Sequence, residues 1–556
     1  IVQGHPGSMF KGVHYNETFS ASPKPETTRI MQALMVGKGY CRKASDIVTA
    51  YLWGRATEGN MICVRYPPGL RKTFKNAAGE DEELYAVMIG NCYGMPQADR
   101  IYSQLRDSEI MRMFNQDGWT CKKSRADSCL FMPKREKRTS FLLVYTDDCD
   151  MIGPEMEDLN LIDKGLDTRF KTTEGDPKFM LGVLRELSED GTKVTMSQPG
   201  FIESTYAEFS KHIKTKRNPD TPAPPKMFLY LDPENKREEE SKRVLDLGYQ
   251  SIVGCLLWAA YRCFPECAAA VHQFCRMMST PTDEAWHGCL HMLQYLHHRK
   301  DRGITFRRDG NSVPVVYYDA SNKPEPIKGK RQYGYVIMWF GGPILWASRK
   351  HRLMSTSAPM AEYMALGECA RAVRWFRRLV TEMGFMDHIA QPTFLLGDND
   401  GATQLSREEL VTPGNRHILD DYHISKEMVD RWEIETHRID TTLNLSDHFT
   451  KCVTAKEMDA TYSLLVGDTD QDLPPADPKF EKGCRDKVQA SAATALHLEG
   501  VSCIGIHDGL RAGRGESDRE GGDVNNIIRA LSGSRGLSKR TVIGQIVYNV
   551  VNKHTD

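Results

Sequence analysis

Two adjacent carboxylates, Asp147 and Asp148, interrupt an otherwise apolar run, FLLVYTDDCDMIG at 141–153. Paired carboxylates on a strand, turn and strand present hard oxygen donors of the kind Mg²⁺ takes while sharing its shell with substrate phosphates. Asp is also common at turns, and the flanks fit two short strands, so the pair alone leaves an ordinary hairpin open. A third carboxylate elsewhere decides between the two. A second acidic set lies further along. Glu362 stands one turn before Leu366 on a stripe continuing through Ala370, Val373, Phe376, Val380 and Met383, the spacing of an amphipathic helix. A carboxylate on such an inward stripe requires a partner or a metal. Asp319 follows the apolar VPVVYY, Asp398 ends the strand-like PTFLLGDND (392–400), and Asp447 lies near the start of a helix in NLSDHFTKCV (444–453).

Three β-rich runs in close succession, VPVVYYDAS (313–321), YGYVIMWFGG (333–342) and PILWASRKH (343–351), read as a meander ahead of the Glu362 helix, and IETHRID (434–440) reads as a further strand. At 556 residues the chain exceeds one core and should hold two to four domains. NPDTPAPPK (218–226) with DPENKREEESKR (232–243), and again DTDQDLPPADPKFEKG (468–483), read as exposed connections. Lys plus Arg, 73, balances Asp plus Glu, 74, so total charge does not advertise a polyanion partner, although a local basic groove can hide inside a neutral total. The 15 cysteines are scattered without a CxxC pair, which suits a reducing compartment. No signal peptide is read, and no apolar run approaches about 18 residues, so the expectation is a soluble intracellular protein without a membrane partner.

The third carboxylate is sought in SDIVTAYLWG (45–54), where Asp46 is read as opening a strand and Tyr51 as lying where the chain turns away from it. Asp, five residues, aromatic, and later an apolar strand into Tyr-x-Asp-Asp resembles the palm of reverse transcriptases. GVHYNETFSASPKPETTRI (12–30), NCYGMPQADR (91–100), FMLGVLRE (179–186), VTMSQPGFIESTYAEF (194–209) and the helical segment 249–298 follow in order, and together they resemble the Pol polyprotein of copia-type LTR retrotransposons over roughly residues 1–455. In the second half, YDAS, AEYMAL, GDNDGA and SDHFTK are similar to that family's ribonuclease H blocks, and the order β-β-β-α-β-α-β-α resembles the ribonuclease H fold.

The resemblance implies a multidomain α+β and α/β chain. Its parts would be a right-hand polymerase fingers and palm at 1–210, a charged Pro-rich connection at 211–248, a helical thumb or connection at 249–311, a ribonuclease H-like domain at 312–455, and an unassigned, partly disordered tail at 456–556. It implies an RNA-directed DNA polymerase with ribonuclease H activity and a part in transposition. Asp46, Asp147 and Asp148 would be the polymerase ligands, and Asp319, Glu362, Asp398 and Asp447 those of the nuclease. Each site would hold two Mg²⁺ ions, or Mn²⁺ in their place, about 3.5 to 4 Å apart. Gln97 would lie beside the incoming nucleotide, and Tyr51 would be the aromatic gate beneath its sugar, the alternative being that Tyr51 fills the palm core. Implied partners are RNA template, DNA primer, dNTPs and RNA–DNA hybrid; implied locations are a cytoplasmic virus-like particle or the nucleus. The sequence leaves the oligomeric state undetermined.

Some positions depart from the family pattern. Thr146 replaces an apolar residue, Pro96 a Lys, and Asp99 a Pro; Ser321 and Pro359 differ at positions that are not ligands, and the basic residues the family carries before VQG do not appear in this sequence. The neutral charge, the absence of those basic residues and the unfamiliar tail keep a catalytically decayed or co-opted nucleic-acid-binding protein open as the alternative reading. His417 and His423 are candidates for proton transfer or product release, with a surface or packing role at least as open. His272, Cys275, His287, Cys289, His291, His297 and His298 carry zinc-type donors, but their spacings match no closed site, and helix faces explain them better.

Overall fold

The computed structural model describes residues 9–13, 15–55, 62–67, 69–214, 218–230, 237–355, 357–407 and 423–469. The chain divides into two compact units, Ile1–Met196 and Ser197–Asp556.

In the first unit, the apolar run 141–153 folds back on itself. Phe141–Tyr145 and Asp148–Gly153 form an antiparallel hairpin in which Tyr145 pairs with Asp148. This hairpin is central to a seven-stranded sheet ordered Thr172–Glu174, Cys41–Ile47, Asp148–Gly153, Phe141–Tyr145, Leu130–Arg135, Trp119–Lys123, with Arg138–Thr139 beside Leu130–Arg135. Helices Ala98–Met113 and Met156–Phe170 pack on the sheet around a core that includes Tyr102, Ile110, Leu142, Val144, Met151, Ile162 and Phe170. Two small hairpins, Cys63–Arg65 with Tyr85–Val87 and Thr73–Lys75 with Asp81–Glu83, lie between the strand Cys41–Ile47 and the helix Ala98–Met113 in sequence.

One expectation needs correcting. Asp46 does not open a strand; it is the last residue but one of Cys41–Ile47. CRKASDI carries no apolar alternation, and it is pairing on both sides, to Asp148–Gly153 and Thr172–Glu174, that makes it a strand. The chain turns at Thr49, which has a left-handed φ of 54°, and enters the 3₁₀ turn Ala50–Trp53 that carries Tyr51.

The second unit contributes helices Tyr249–Arg262, Ala268–Arg276 and Asp283–His298, followed by a five-stranded sheet ordered Gly342–Lys350, Gln332–Trp339, Val315–Ala320, Thr393–Gly397, Ile434–Arg438. The first three strands are antiparallel neighbours, and the last two join in parallel. Helix Ala358–Glu382 starts where the Ser357 side chain accepts from the Met360 N–H, and it buries Leu366, Ala370, Val373, Phe376 and Val380 against Val315–Ala320 and Gln332–Trp339. The helix expected around Asp447 is short, Asp447–Thr450. Residues assigned to the tail from 456 onward begin as a regular helix, Ala455–Val466, closed at its start by a Thr454/Glu457 capping box. His417 and residues 470–556 lie outside the described residues. Among the described residues no single helix is long and apolar enough to cross a membrane.

Candidate active sites: two carboxylate clusters

The first cluster sits at the tip of the 141–153 hairpin. Its two-residue turn is Thr146–Asp147, and Thr146 takes a φ of 50°, a conformation uncommon for a β-branched residue. What holds the turn is buried. Arg106, on helix Ala98–Met113, donates from Nη1 to the Thr146 carbonyl at 3.2 Å. The same guanidinium is fixed by Asp107 Oδ1 at 3.1 and 2.8 Å, and Asp107 Oδ2 accepts from Lys123 Nζ at 2.6 Å. Behind the turn, the Ile47 N–H donates to the Asp147 carbonyl at 2.9 Å.

Strand pairing places Asp46 directly opposite Asp148. The Asp148 carboxyl is pushed up to about 7, by burial first, then by its hydrogen bond with Asp46 and by the Asp147 charge. Pairing thus brings Asp46 and Asp148 together and the Asp147 charge reaches Asp148, the donor chemistry a divalent cation takes, but among the described residues the three are not drawn into one ligating group, as the second cluster is. The neighbouring acid, Asp150, is already committed: its Oδ2 accepts from buried Arg185 Nη1 at 2.6 Å. A cavity of about 210 Å³ lies against Asp46 and Asp148.

Tyr51 is half-buried, its ring 4.9 Å from Tyr93 and 6.1 Å from Tyr102. Burial and then the Asp99 charge raise its hydroxyl above the ordinary tyrosine range, and Thr146 bonds to it. It thus borders the carboxylate turn while also touching the core. Gln97 is buried at the N-cap of helix Ala98–Met113.

The second cluster is tighter. Asp319 near the end of Val315–Ala320, Glu362 on the first turns of Ala358–Glu382 and Asp398 just past Thr393–Gly397 bring carboxylate oxygens within 4.8 Å of one another. Glu362 is only 4% exposed, and its Oε2 has no hydrogen-bond partner among the described residues. Its carboxyl is pushed up to about 10, by burial first and by Asp319 next. Burial also raises Asp319, opposed by a hydrogen bond from the Thr450 hydroxyl. These residues fit a cation: a buried acidic trio with an orphaned oxygen is what a bound divalent ion would satisfy.

Asp447 stands apart from the trio but feels it, its carboxyl pushed up to about 7 by burial and then by Asp319. Lys451 Nζ holds its Oδ2 at 2.7 Å, one helical turn away. Thr450, Lys451 and Arg106 are residues that reading the sequence missed. The first two lay inside the quoted SDHFTK block, and a search for groups that orient ligands would have found them. Arg106 carried no signal.

Of the zinc-type donors, His272 and Cys275 fall on Ala268–Arg276 and the others on Asp283–His298. His287 bonds the Asp283 carbonyl at 2.7 Å and His291 the Thr221 carbonyl at 2.9 Å. His423 immediately precedes helix Ile424–Asp430.

Residues 1–220 match the family described as reverse transcriptase (RNA-dependent DNA polymerase). Including that domain, the chain is homologous to Pol polyproteins of copia-like transposons over about four-fifths of its length. The retrovirus-related Pol polyprotein from transposon RE2 of Arabidopsis thaliana is 26% identical over 444 residues, 79% of this chain and 28% of that protein. The corresponding polyprotein from transposon TNT 1-94 of Nicotiana tabacum is 26% identical over 461 residues, 82% of this chain and 33% of that one. The chain therefore spans under a third of the first relative's length. A ribonuclease H domain from Mycobacterium tuberculosis, solved as a fusion with maltose binding protein, is similar at a TM-score of 0.19 and 15% identity, over 27% of this chain and 96% of that one. A score of that size establishes no shared fold by itself.

Proposed function

We propose that this chain is the polymerase and ribonuclease H portion of a retrotransposon Pol polyprotein, copying RNA into DNA and cutting RNA in RNA–DNA hybrids. In this reading the first unit is the fingers and palm, helices 249–298 form the thumb or connection, and the sheet with Asp319, Glu362 and Asp398 is a ribonuclease H-like domain. The observation that carries it is the placement of Asp46 opposite Asp148, with Asp147 at the adjoining turn, inside a domain of the reverse transcriptase family.

Asp46, Asp147 and Asp148 would hold divalent cations in the first unit, and Asp319, Glu362 and Asp398, with Asp447 beside them, in the second. Bound there, Mg²⁺ or Mn²⁺ would supply charge neutralisation at phosphoryl oxygens and ease ionisation of the attacking hydroxyl or water. The chain's own residues do the rest. Arg106 fixes the turn that aims Asp147, Tyr51 and Gln97 bind the incoming dNTP, and Lys451 orients Asp447 and opposes the upward push on its carboxyl. RNA template, DNA primer and hybrid are the macromolecular partners.

Extension of oligo(dT) on poly(rA) in Mg²⁺, together with cleavage of labelled RNA in a hybrid, tests both halves, and chelation should stop both. A folded chain that binds template-primer and does neither would be a co-opted binding protein. Sugar choice tests the site more finely. If the Tyr51 ring excludes a 2′-hydroxyl, Tyr51→Val should raise the rNTP-to-dNTP ratio of kcat/KM at least about tenfold, about 1.4 kcal/mol of discrimination. Equal losses for both nucleotides, with lower stability, would assign Tyr51 to the core.

A further inference from the structure

The helix that carries Asp447 is four residues long, Asp447–Thr450, and it is tied to the second cluster where the Thr450 hydroxyl donates to Asp319. A helix this short cannot hold its own place. Its backbone closes through the Phe449 N–H to the Ser446 carbonyl at 2.9 Å and the Lys451 N–H to the Asp447 carbonyl at 3.2 Å. Carbonyls at the C-terminal end of a helix have no partner within it, so contacts from outside must set where this one sits.

Those contacts are polar and come largely from one glutamine. Asp319 pairs with Gly334 and Gly334 with Ser348, and Gln332, two residues before Gly334, shares their face of the sheet. Phe449 lies directly on Gly334, where any Cβ would overlap it. Beside it the Gln332 side chain, only 5% exposed, donates from Nε2 to the Phe449 carbonyl at 3.0 Å and to Ser348 Oγ at 2.6 Å. Its Oε1 accepts from the Arg276 guanidinium. The partners fix which way the amide points, because a carbonyl only accepts and a guanidinium only donates. Arg276 ends helix Ala268–Arg276, and three residues earlier on the same face Gln273 serves the far side of the Asp447 helix. Gln273 Nε2 donates to Cys452 Sγ at 3.3 Å and to the Met227 carbonyl at 3.0 Å, while its Oε1 accepts from the Leu229 N–H at 2.8 Å. The Lys226 N–H in turn donates to the Cys452 carbonyl at 3.0 Å. Part of the Pro-rich stretch read as an exposed connection is thus laid against this helix end.

We propose that Gln332 is a positioning residue of the nuclease site, holding the Asp447 helix by its Phe449 carbonyl and itself held by Arg276 from the preceding helical segment; this rests on the ribonuclease H reading of the second cluster. Neither residue touches a reacting atom. Both act through Asp447 and Thr450, whose side chains leave the helix that Gln332 anchors. Groups that orient ligands in this way govern metal affinity and turnover nearly as strongly as the ligands do. The helices ahead of the sheet are therefore part of what shapes the second cluster, through Arg276 and Gln273.

Gln332→Met keeps the length of the side chain and removes all of its hydrogen bonds, and Arg276→Met removes the group behind it. In the full chain, Gln332→Met should lower kcat for cleavage of a labelled hybrid about 10- to 100-fold and raise the Mg²⁺ concentration for half-maximal rate about tenfold, with KM for the hybrid unchanged. Arg276→Met should give a smaller loss of the same kind, and the double variant should match Gln332→Met alone, because one chain of bonds serves one carbonyl. Hydrogen exchange in EDTA gives a reading that needs no cleavage. Amides of 445–453 should exchange about tenfold faster in Gln332→Met, while those of 366–380 in the long helix keep wild-type protection. A folded Gln332→Met with wild-type kcat and Mg²⁺ dependence overturns the proposal, and so does faster exchange spread equally over both segments, which would make Gln332 an ordinary core residue. Losses that multiply in the double variant overturn the relay from Arg276. Should Gln332→Met not fold, Arg276→Met decides by the same criteria. If the wild-type chain cuts no hybrid, the nuclease reading fails by itself and exchange still decides: acceleration confined to 445–453 upholds the positioning role, and equal exchange removes it.

Discussion

Asp147→Asn should abolish primer extension, with a loss on the order of 10³-fold or more, and leave hybrid cleavage near the wild-type rate. The turn geometry makes the case. Asp147 follows a residue held at positive φ, its carbonyl accepts from the Ile47 N–H, and the Arg106 guanidinium holds the preceding carbonyl. Asn fills the same volume and disturbs none of those backbone contacts, so the change removes a charge and little else. Charge stabilisation at a phosphoryl transfer site amounts to several kcal/mol, and each 1.36 kcal/mol is a factor of ten in rate. The two carboxylate clusters lie in different compact units, so the effect should not cross between them. Asp398→Asn supplies the reciprocal, extending primers while failing to cut hybrid. Single-turnover extension and hybrid cleavage on the same preparations read both. Joint loss of the two activities in either variant would mean a shared folding defect or a wrong assignment.

How much of this was legible in the sequence depended on where the signal resided. Glu362 was readable because its neighbours recur at helical spacing, so a carboxylate on the buried stripe stands out. The hairpin at 141–153 was readable because apolar strands flank two turn-type residues, and the structure makes that segment a turn and a carboxylate pair at once. Asp46 was placed at the wrong end of its strand because CRKASDI is polar, and its strand character comes from partners far away in sequence, Asp148–Gly153 and Thr172–Glu174. Arg106 was invisible for a related reason. A buried arginine in a helix declares itself only when the carbonyl it serves, Thr146, is seen across the fold. Local periodicity encodes elements, while long-range register decides what those elements bring together.

Glu362→Gln should abolish hybrid cleavage and, in chelator, raise the stability of the second unit. Both effects have one cause. Glu362 is buried beside Asp319 and Asp398, and its carboxyl is pushed up to about 10 from an ordinary 4.5. A carboxyl that binds its proton more tightly folded than unfolded gives ν_U smaller than ν_N between those values, so metal-free stability falls as pH rises through that window. A cation reverses the sign of the problem, because it favours the ionised carboxylates and binds only the folded arrangement. At one hundred times its dissociation constant it would add about 2.7 kcal/mol. Calorimetry of the full chain should therefore show a transition that declines from about pH 5 to pH 9 in EDTA and is restored by Mg²⁺. In Glu362→Gln that transition should lie higher in EDTA at pH 8, by about 2 to 4 °C for each kcal/mol of proton-uptake cost that the amide does not carry, with a flatter pH dependence and little response to Mg²⁺. The amide keeps the shape of the side chain and cannot ionise, so packing loss does not obscure the comparison. A variant less stable than wild type in EDTA, or one that gains as much from Mg²⁺ as wild type does, would show that Glu362 is neither the strained acid nor the ligand assigned to it.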